Sequence, residues 1–317
     1  MKMKGTIIRN TGAHYVAETT EGEEVPCLAK GNFRIKGLRT TNPVAVGDHV
    51  ELSEKGPDGT AYITSVLPRT NYIIRRSSNL SKAAHIIAAN VDCAVLVATL
   101  AHPTTSTTFI DRFLASAEAY GVPAAIVINK IDLLDEDEDR ELLEAVLYLY
   151  RSIGYPALAV SAETGEGLDA LREFLRDKVT LFSGNSGVGK TSLINALIPG
   201  LDLRTGEISA THDTGMHTTT FSEMYPLPDG GRIIDTPGLR GFGVVEFDTT
   251  EVGHFFPEIF AASTDCRFGN CTHTHEPGCA VLEAVEENRI AQSRYTSYLS
   301  ILEEAREGAA DKYRKGN

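Results

Sequence analysis

The chain has 317 residues, 42% hydrophobic and 23% charged, with 28 glycines and 13 prolines; this is apolar material for about two domains of roughly 150 residues. It excludes a largely disordered or collagen-like chain. A formal net charge of −13 also excludes a protein that coats nucleic acid indiscriminately.

The acidity is uneven. Residues 1–72 carry nine Lys and Arg against eight Asp and Glu, whereas residues 241–317 carry seven against thirteen, so the N-terminal part repels RNA least. No stretch approaches 18 consecutive apolar residues, and the apolar patch after Met1-Lys2-Met3-Lys4-Gly5 is too short for a signal-peptide core. A cytoplasmic protein without a membrane span is expected.

Residues 1–72 read as all-β. Short β-rich runs at 5–9, 14–18, 25–29, 48–52 and 61–66 are separated by turn clusters such as Glu21-Gly22-Glu23 and Gly56-Pro57-Asp58-Gly59. Five short strands with Gly-rich turns predict a small barrel of the OB type, with an SH3-like barrel the alternative. Residues 70–90 read as a connector with a polar opening at Arg75-Arg76-Ser77-Ser78-Asn79. Cys27 and Cys93 stand alone in apolar surroundings, as small buried hydrophobes do.

From Val91 the texture changes to alternating strands and helices. Strands are expected at 91–100, 124–128, 157–160, 179–183 and 232–234, and helices at 109–120, 140–153, 168–176 and 191–197. This alternation predicts a parallel sheet wrapped by helices. After Gly243 the β periodicity stops, and 252–262 and 276–308 read as helical, flanking a cysteine cluster. The chain therefore divides into a barrel at 1–72, an α/β domain at 73–244 and a mainly helical unit at 245–317.

Gly184-Asn185-Ser186-Gly187-Val188-Gly189-Lys190-Thr191, with Ser192 after it, matches the Walker A pattern between a strand and a helix. Its glycines let backbone N–H groups turn toward phosphates, Lys190 supplies a cation, and the Thr191 hydroxyl suits Mg²⁺. Asn129-Lys130-Ile131-Asp132 decides between purines. The Asp132 carboxylate can accept from guanine N1–H and the 2-amino group together, whereas adenine offers neither donor there. Asn129 ties the loop together, and the Lys130 stem lies across the ring. Ser161-Ala162-Glu163, also just after a strand, would complete the base pocket with backbone N–H groups.

Asp235-Thr236-Pro237-Gly238 follows the strand at 232–234, placing Asp235 near Mg²⁺ and the Gly238 N–H toward a γ-phosphate. Within Thr218-Thr219-Thr220, Thr219 is taken as the switch-loop ligand of Mg²⁺. The base-reading loops precede the phosphate loops, the reverse of ordinary GTPases, so the central domain reads as a circularly permuted P-loop GTPase. Where Ras-like proteins carry a water-orienting Gln, this chain has Leu239, which cannot orient water. His217, next to the threonine run, is the nearest candidate for that task.

Cys266-x4-Cys271-x-His273-x5-Cys279 offers three thiolates and one imidazole, the ligand count of a closed structural Zn²⁺ site. His275 competes with His273 for the fourth place. With no open position, such a metal stabilises its subdomain and does no chemistry.

With these motifs placed, the chain resembles the ribosome small-subunit-dependent GTPase A family over essentially its full length. The segments Gly215-Met216-His217-Thr218-Thr219-Thr220, Cys271-Thr272-His273 and Glu276-Pro277-Gly278-Cys279-Ala280-Val281 carry that resemblance. It implies GTP hydrolysis stimulated by the 30S ribosomal subunit, a role in late 30S maturation, 16S rRNA contact through the barrel and zinc subdomain, and a cytoplasmic monomer. It also links the His before the threonine run to hydrolysis. Two other readings remain: an RNA-binding assembly factor for which GTP is only a structural ligand, and a permuted GTPase of the large subunit. The barrel and zinc cluster point away from the latter.

Overall fold

The computed structural model describes residues 3–12, 14–29, 40–76, 84–203, 222–235 and 247–315. The N-terminal part contains β1 (Met3–Asn10), β2 (His14–Thr19), β3 (Glu24–Ala29), the short β4 (Thr40–Asn42), β5 (His49–Leu52) and β6 (Ala61–Val66). Alternation along these strands turns Ile7, Ala17, Val25, Cys27, Val50, Leu52, Ala61 and Ile63 inward, where they are buried. The strands pair in the ring β1–β2–β3–β6–β5 and close again on β1, with β3 and β6 parallel. That closed Greek-key ring is the OB arrangement, so the OB expectation holds over the SH3-like one.

A register shift between Ile7 and Arg9 bends β1 out of the ring. Its last residues pair with a strand of the central sheet, Arg9 opposite Glu223, and the Arg9 guanidinium donates to the Glu223 carboxylate at 2.8 Å. Barrel and central sheet are thereby hydrogen-bonded into one surface.

The expected connector is corrected by the structure. Within residues 70–90 lie β7 (Tyr72–Arg76) and β8 (Ala84–Ala89), an antiparallel pair that forms a three-stranded sheet with β4. Ile73, Ile86, Ile87, Ala88 and Ala89 are buried there. The polar Arg75-Arg76 that suggested a linker ends β7 instead.

The central sheet comprises β9 (Cys93–Ala98), β10 (Ala124–Ile128), β11 (Ala157–Ala159), β12 (Val179–Ser183), β13 (Ser222–Pro226) and β14 (Arg232–Asp235). Its order is β11-β10-β9-β12-β14-β13, parallel except for β13. β9 and β10 are buried along their whole length, which explains their unbroken apolar runs. The helices are α1 (Thr107–Tyr120), α2 (Asp137–Ser152), α3 (Leu168–Leu175) and α4 (Lys190–Leu197). Counting from β12 as the first strand turns the sheet order into 6-5-4-1-3-2, a doubly wound sheet whose chain has been opened elsewhere. The order reverses between β9 and β12, and in such sheets that crevice is where ligands bind.

The two helices expected after Gly243 are each interrupted. Residues 252–262 form a 3₁₀ turn (Val252–Phe255) and then α5 (Pro257–Ser263), with Pro257 opening the second helix. Pro277-Gly278 and Asn288, at φ +58°, interrupt the longer segment into α6 (Ala280–Glu286) and α7 (Gln292–Lys315). Residues 276–279 are therefore loop. α7 packs on α1, and the buried Arg294 donates to Asp111 at 2.8 Å and to Glu258 at 2.6 Å. A buried charge left without its partner costs about 3–5 kcal/mol, so this network fixes how α7 lies on α1. No helix among the described residues is long and apolar enough to cross a membrane.

Candidate functional site

The phosphate-type loop leaves β12 with Gly184 at φ +149°, where a Cβ would meet the Val97 carbonyl oxygen at 2.3 Å. At Gly189, φ +87°, a Cβ would lie 2.5 Å from Asn129 Nδ2. Both positions are closed to larger residues, because the loop is pressed against the strands and the base-reading loop. Val188 is buried and anchors the loop, while Asn185 is half-buried and Ser186 and Gly187 face outward. α4 starts at Lys190 without a side-chain cap, leaving its first N–H groups for a ligand. Thr191 is half-buried in its first turn and Ser192 is exposed.

Lys190 Nζ donates to the carbonyls of Gly184 at 2.6 Å and Asn185 at 3.0 Å. Burial lowers its pKa, and the nearby Asp235 opposes that shift. Asp235 ends β14 opposite Phe182 of β12, which brings the expected Mg²⁺-side carboxylate to the lysine of the loop. His217, Thr218, Thr219, Thr220, Gly238 and Leu239 lie outside the described residues.

Asn129 is almost fully buried and joins three loops. Its Nδ2 donates to Val188 O at 2.9 Å, its Oδ1 accepts from Ala162 N at 3.1 Å, and its backbone N–H donates to Ala98 O at 2.8 Å. Lys130 is held at φ +65°, and its Nζ donates to His102 O at 2.6 Å. Asp132 stands on the single 3₁₀ turn Ile131–Leu133, and its Oδ1 accepts from Ser161 Oγ at 2.5 Å. Ser161 in turn accepts from Thr164 N at 3.0 Å, which braces the loop carrying Ala162 and the exposed Glu163. Residues 129–132, 161–162 and 184–191, distant in sequence, thus meet at one edge of the sheet.

Asp132→Asn should weaken GTP by roughly ten- to a hundredfold, the worth of one lost charge-assisted hydrogen bond. Xanthosine triphosphate, with an acceptor where guanine has its 2-amino donor, should gain instead. Competition among GTP, ATP and xanthosine triphosphate checks both signs, and equal competition by GTP and ATP for the unmodified protein would show that the base-reading assignment is wrong.

Two contributors were missed by sequence reasoning. The first is the segment after β9, which supplies His102 O to Lys130; its place at the C-terminal end of a strand beside the switch point was the available signal. The second is Glu276, which accepts from Thr272 N at 2.8 Å, Thr272 Oγ1 at 2.6 Å, Thr274 N at 3.0 Å and His275 N at 3.1 Å. Burial works to raise this carboxyl, yet those bonds hold it well below the usual carboxylate range. It clamps the turn that presents His273.

Cys266, Cys271, His273 and Cys279 place one ligand atom each within 4.8 Å of one another. His273 Nδ1 lies 3.6 Å from Cys266 Sγ and 3.5 Å from Cys279 Sγ, and the two sulfurs are 3.9 Å apart. Tetrahedral bonds of about 2.3 Å to sulfur and 2.0 Å to nitrogen require edges near 3.8 and 3.5 Å, so these donors fit Zn²⁺. His275 is exposed and turns its Nδ1 to the Thr274 hydroxyl, so the structure brings His273 to the sulfurs. Tyr295 and Tyr298 of α7 donate to the carbonyls of His273 and Thr272, each at 2.7 Å, fastening the cluster to the helix.

Comparison with known proteins agrees with this architecture. A family profile described as RsgA GTPase matches residues 66–245, and one described as RsgA N-terminal domain matches residues 4–63. The chain is 60% identical to the small ribosomal subunit biogenesis GTPase RsgA of Bacteroides fragilis over 312 residues, 98% of this chain and 99% of that one. It is also 60% identical to the protein of that name from Porphyromonas gingivalis, over 98% of this chain and 99% of that one. Among solved structures it resembles YjeQ from Thermotoga maritima, at TM-score 0.77 and 35% identity over 96% of this chain and 99% of that one. It likewise resembles YloQ, described as a circularly permuted GTPase, at TM-score 0.74 and 30% identity over 97% and 96%. With a matching profile over most of its length and relatives this similar end to end, the chain belongs to the RsgA GTPase family.

Proposed function

We propose that the chain binds the 30S ribosomal subunit in the cytoplasm and assists its late maturation, with GTP hydrolysis stimulated by the subunit and driving release. The observation that carries this reading is full-length identity of 60% to relatives named for small-subunit biogenesis, joined to a guanine-type site built from three loops. In this reading residues 184–191 and Lys190 hold the phosphates, while Asn129, Lys130, Asp132 and the Ser161–Ala162 backbone hold the base. Thr191 and Thr219 ligate Mg²⁺ with Asp235 behind them, and Gly238 meets the γ-phosphate. Zn²⁺ at Cys266, Cys271, His273 and Cys279 stabilises the C-terminal unit, and the barrel supplies 16S rRNA contact from the least acidic part of a monomeric chain.

A second reading, GTP as a purely structural ligand of an RNA-binding assembly factor, is favoured by Leu239 in place of a water-orienting Gln. Turnover measured alone, with 30S particles and with 50S particles separates them. The proposed function predicts slow turnover alone and acceleration by 30S only. Equal acceleration by both particles, or none by either, would sink it.

A further inference from the structure

The segment joining β9 to α1 belongs to neither nucleotide motif, yet it bonds to one and lies beside the other. His102 O accepts from Lys130 Nζ at 2.6 Å, and a Cβ on Gly187 would meet Pro103 Cδ at 3.5 Å, ordinary van der Waals contact. Two buried threonines shape this segment. Thr99 N donates to Thr105 Oγ1 at 3.1 Å, Thr105 N donates to Thr99 O at 2.8 Å, and Thr99 Oγ1 donates to Pro103 O. Ser106 then caps α1 by accepting from Phe109 N at 3.2 Å, and α1 is held further along by Asp111 on Arg294. The segment is thus fixed at its far end independently of the threonines. Because the pair is buried, water does not replace a missing hydroxyl there.

We propose that Thr99 and Thr105 are positioning residues of the nucleotide site. Their hydroxyls hold the His102–Pro103 segment as a third wall, so that the His102 carbonyl fixes the Lys130 ammonium at the purine side and Pro103 backs the phosphate loop at Gly187. The wall serves the base and the inner phosphates, which GDP and GTP share, so its loss weakens both nucleotides alike. The inference rests on the reading of Lys130 and residues 184–190 as nucleotide contacts.

Thr105→Val keeps the side-chain shape and removes the acceptor, whereas Thr105→Ser keeps the hydroxyl. Binding of fluorescent GDP and GTP and steady-state turnover are measured on the full-length protein, with the melting temperature recorded for each variant. Thr105→Val should weaken both nucleotides by the same factor, roughly five- to thirtyfold, the worth of one buried partner left unmade. The KM for GTP should rise with it while kcat stays unchanged, and Thr105→Ser should restore both. Thr99→Val should act in the same direction, and it replaces Thr105→Val if that variant does not fold. Lys130→Ala, run alongside, separates two failures. If it binds as the unmodified protein does, the reading of the site itself fails. If it binds weakly while both valine variants bind normally, or if Thr105→Ser is as weak as Thr105→Val, the positioning role is overturned. Loss of cooperative melting in both valine variants would assign the threonines to folding and overturn it as well.

Discussion

Cys271→Ser should abolish zinc binding and unfold residues 245–317 while GTP binding stays largely intact. The apolar core of the C-terminal unit, around Val252, Phe256, Ile259, Val281, Ala284 and Ile301, is small and takes in Ala115 of α1. Between α5 and α6 the chain is loop, shaped by the Cys3His cluster, the Glu276 clamp and the two tyrosine hydroxyls. Structural Zn²⁺ is worth about 10–16 kcal/mol in zinc-finger peptides near neutral pH. Whole domains rarely have more than about 5–15 kcal/mol of stability, so loss of the metal outweighs what the core retains. The nucleotide loops stand on β10, β11 and β12, with a separate apolar core beneath them, which is why they survive. Metal analysis should find one Zn²⁺ per unmodified chain, and hydrogen exchange should show protection lost from residues 245–317 in the variant. An ordered C-terminal unit in metal-free protein would refute the assignment.

His217→Ala should leave GTP binding nearly unchanged and lower 30S-stimulated turnover by roughly 10²- to 10⁴-fold, the contribution of one positioned acid–base group. Its motive is chemical: Leu239 follows the Gly238 that should meet the γ-phosphate, and an alkyl side chain cannot align a water for attack. An imidazole two residues before Thr219 can do so. GTP affinity by equilibrium binding and turnover with saturating 30S particles, on the same preparations, give the two readouts. Parallel loss of both would mean that His217 supports the site's structure instead.

Legibility in the sequence followed the range of the interaction. Ala124–Ile128 lies where its apolar run places it, because a strand buried on both faces shows no alternation and ends where the run ends. β13 was not anticipated, since an antiparallel strand that buries only Ser222 and Met224 has no apolar run to show. The β7–β8 pair was hidden by the polar run Arg75-Arg76-Ser77-Ser78-Asn79 in the sequence. The Cys3His spacing and the 184–191 and 129–132 motifs were readable because each is local in sequence. The bonds that assemble them were not, for Asn129 to Val188, Asp132 to Ser161 and Lys130 to His102 cross 28 to 59 positions. Permutation was readable as motif order, and the sheet shows why it is tolerated: the described site loops after β10, β11 and β12 all emerge at the C-terminal edge of the parallel strands.

The chain order also gives the nucleotide a route to the C-terminal unit. Asp235 ends β14, and the residues after it lead directly into the zinc subdomain, so contacts of a γ-phosphate with Gly238 and Thr219 should bias how that unit is presented. GTP should therefore fasten the protein to the small subunit and hydrolysis should free it. Co-sedimentation with 30S particles after adding GTP, for the unmodified protein and His217→Ala side by side, tests this most directly. The unmodified protein should leave the pellet as GTP is consumed, while the variant should stay bound. Equal release of both proteins would contradict it.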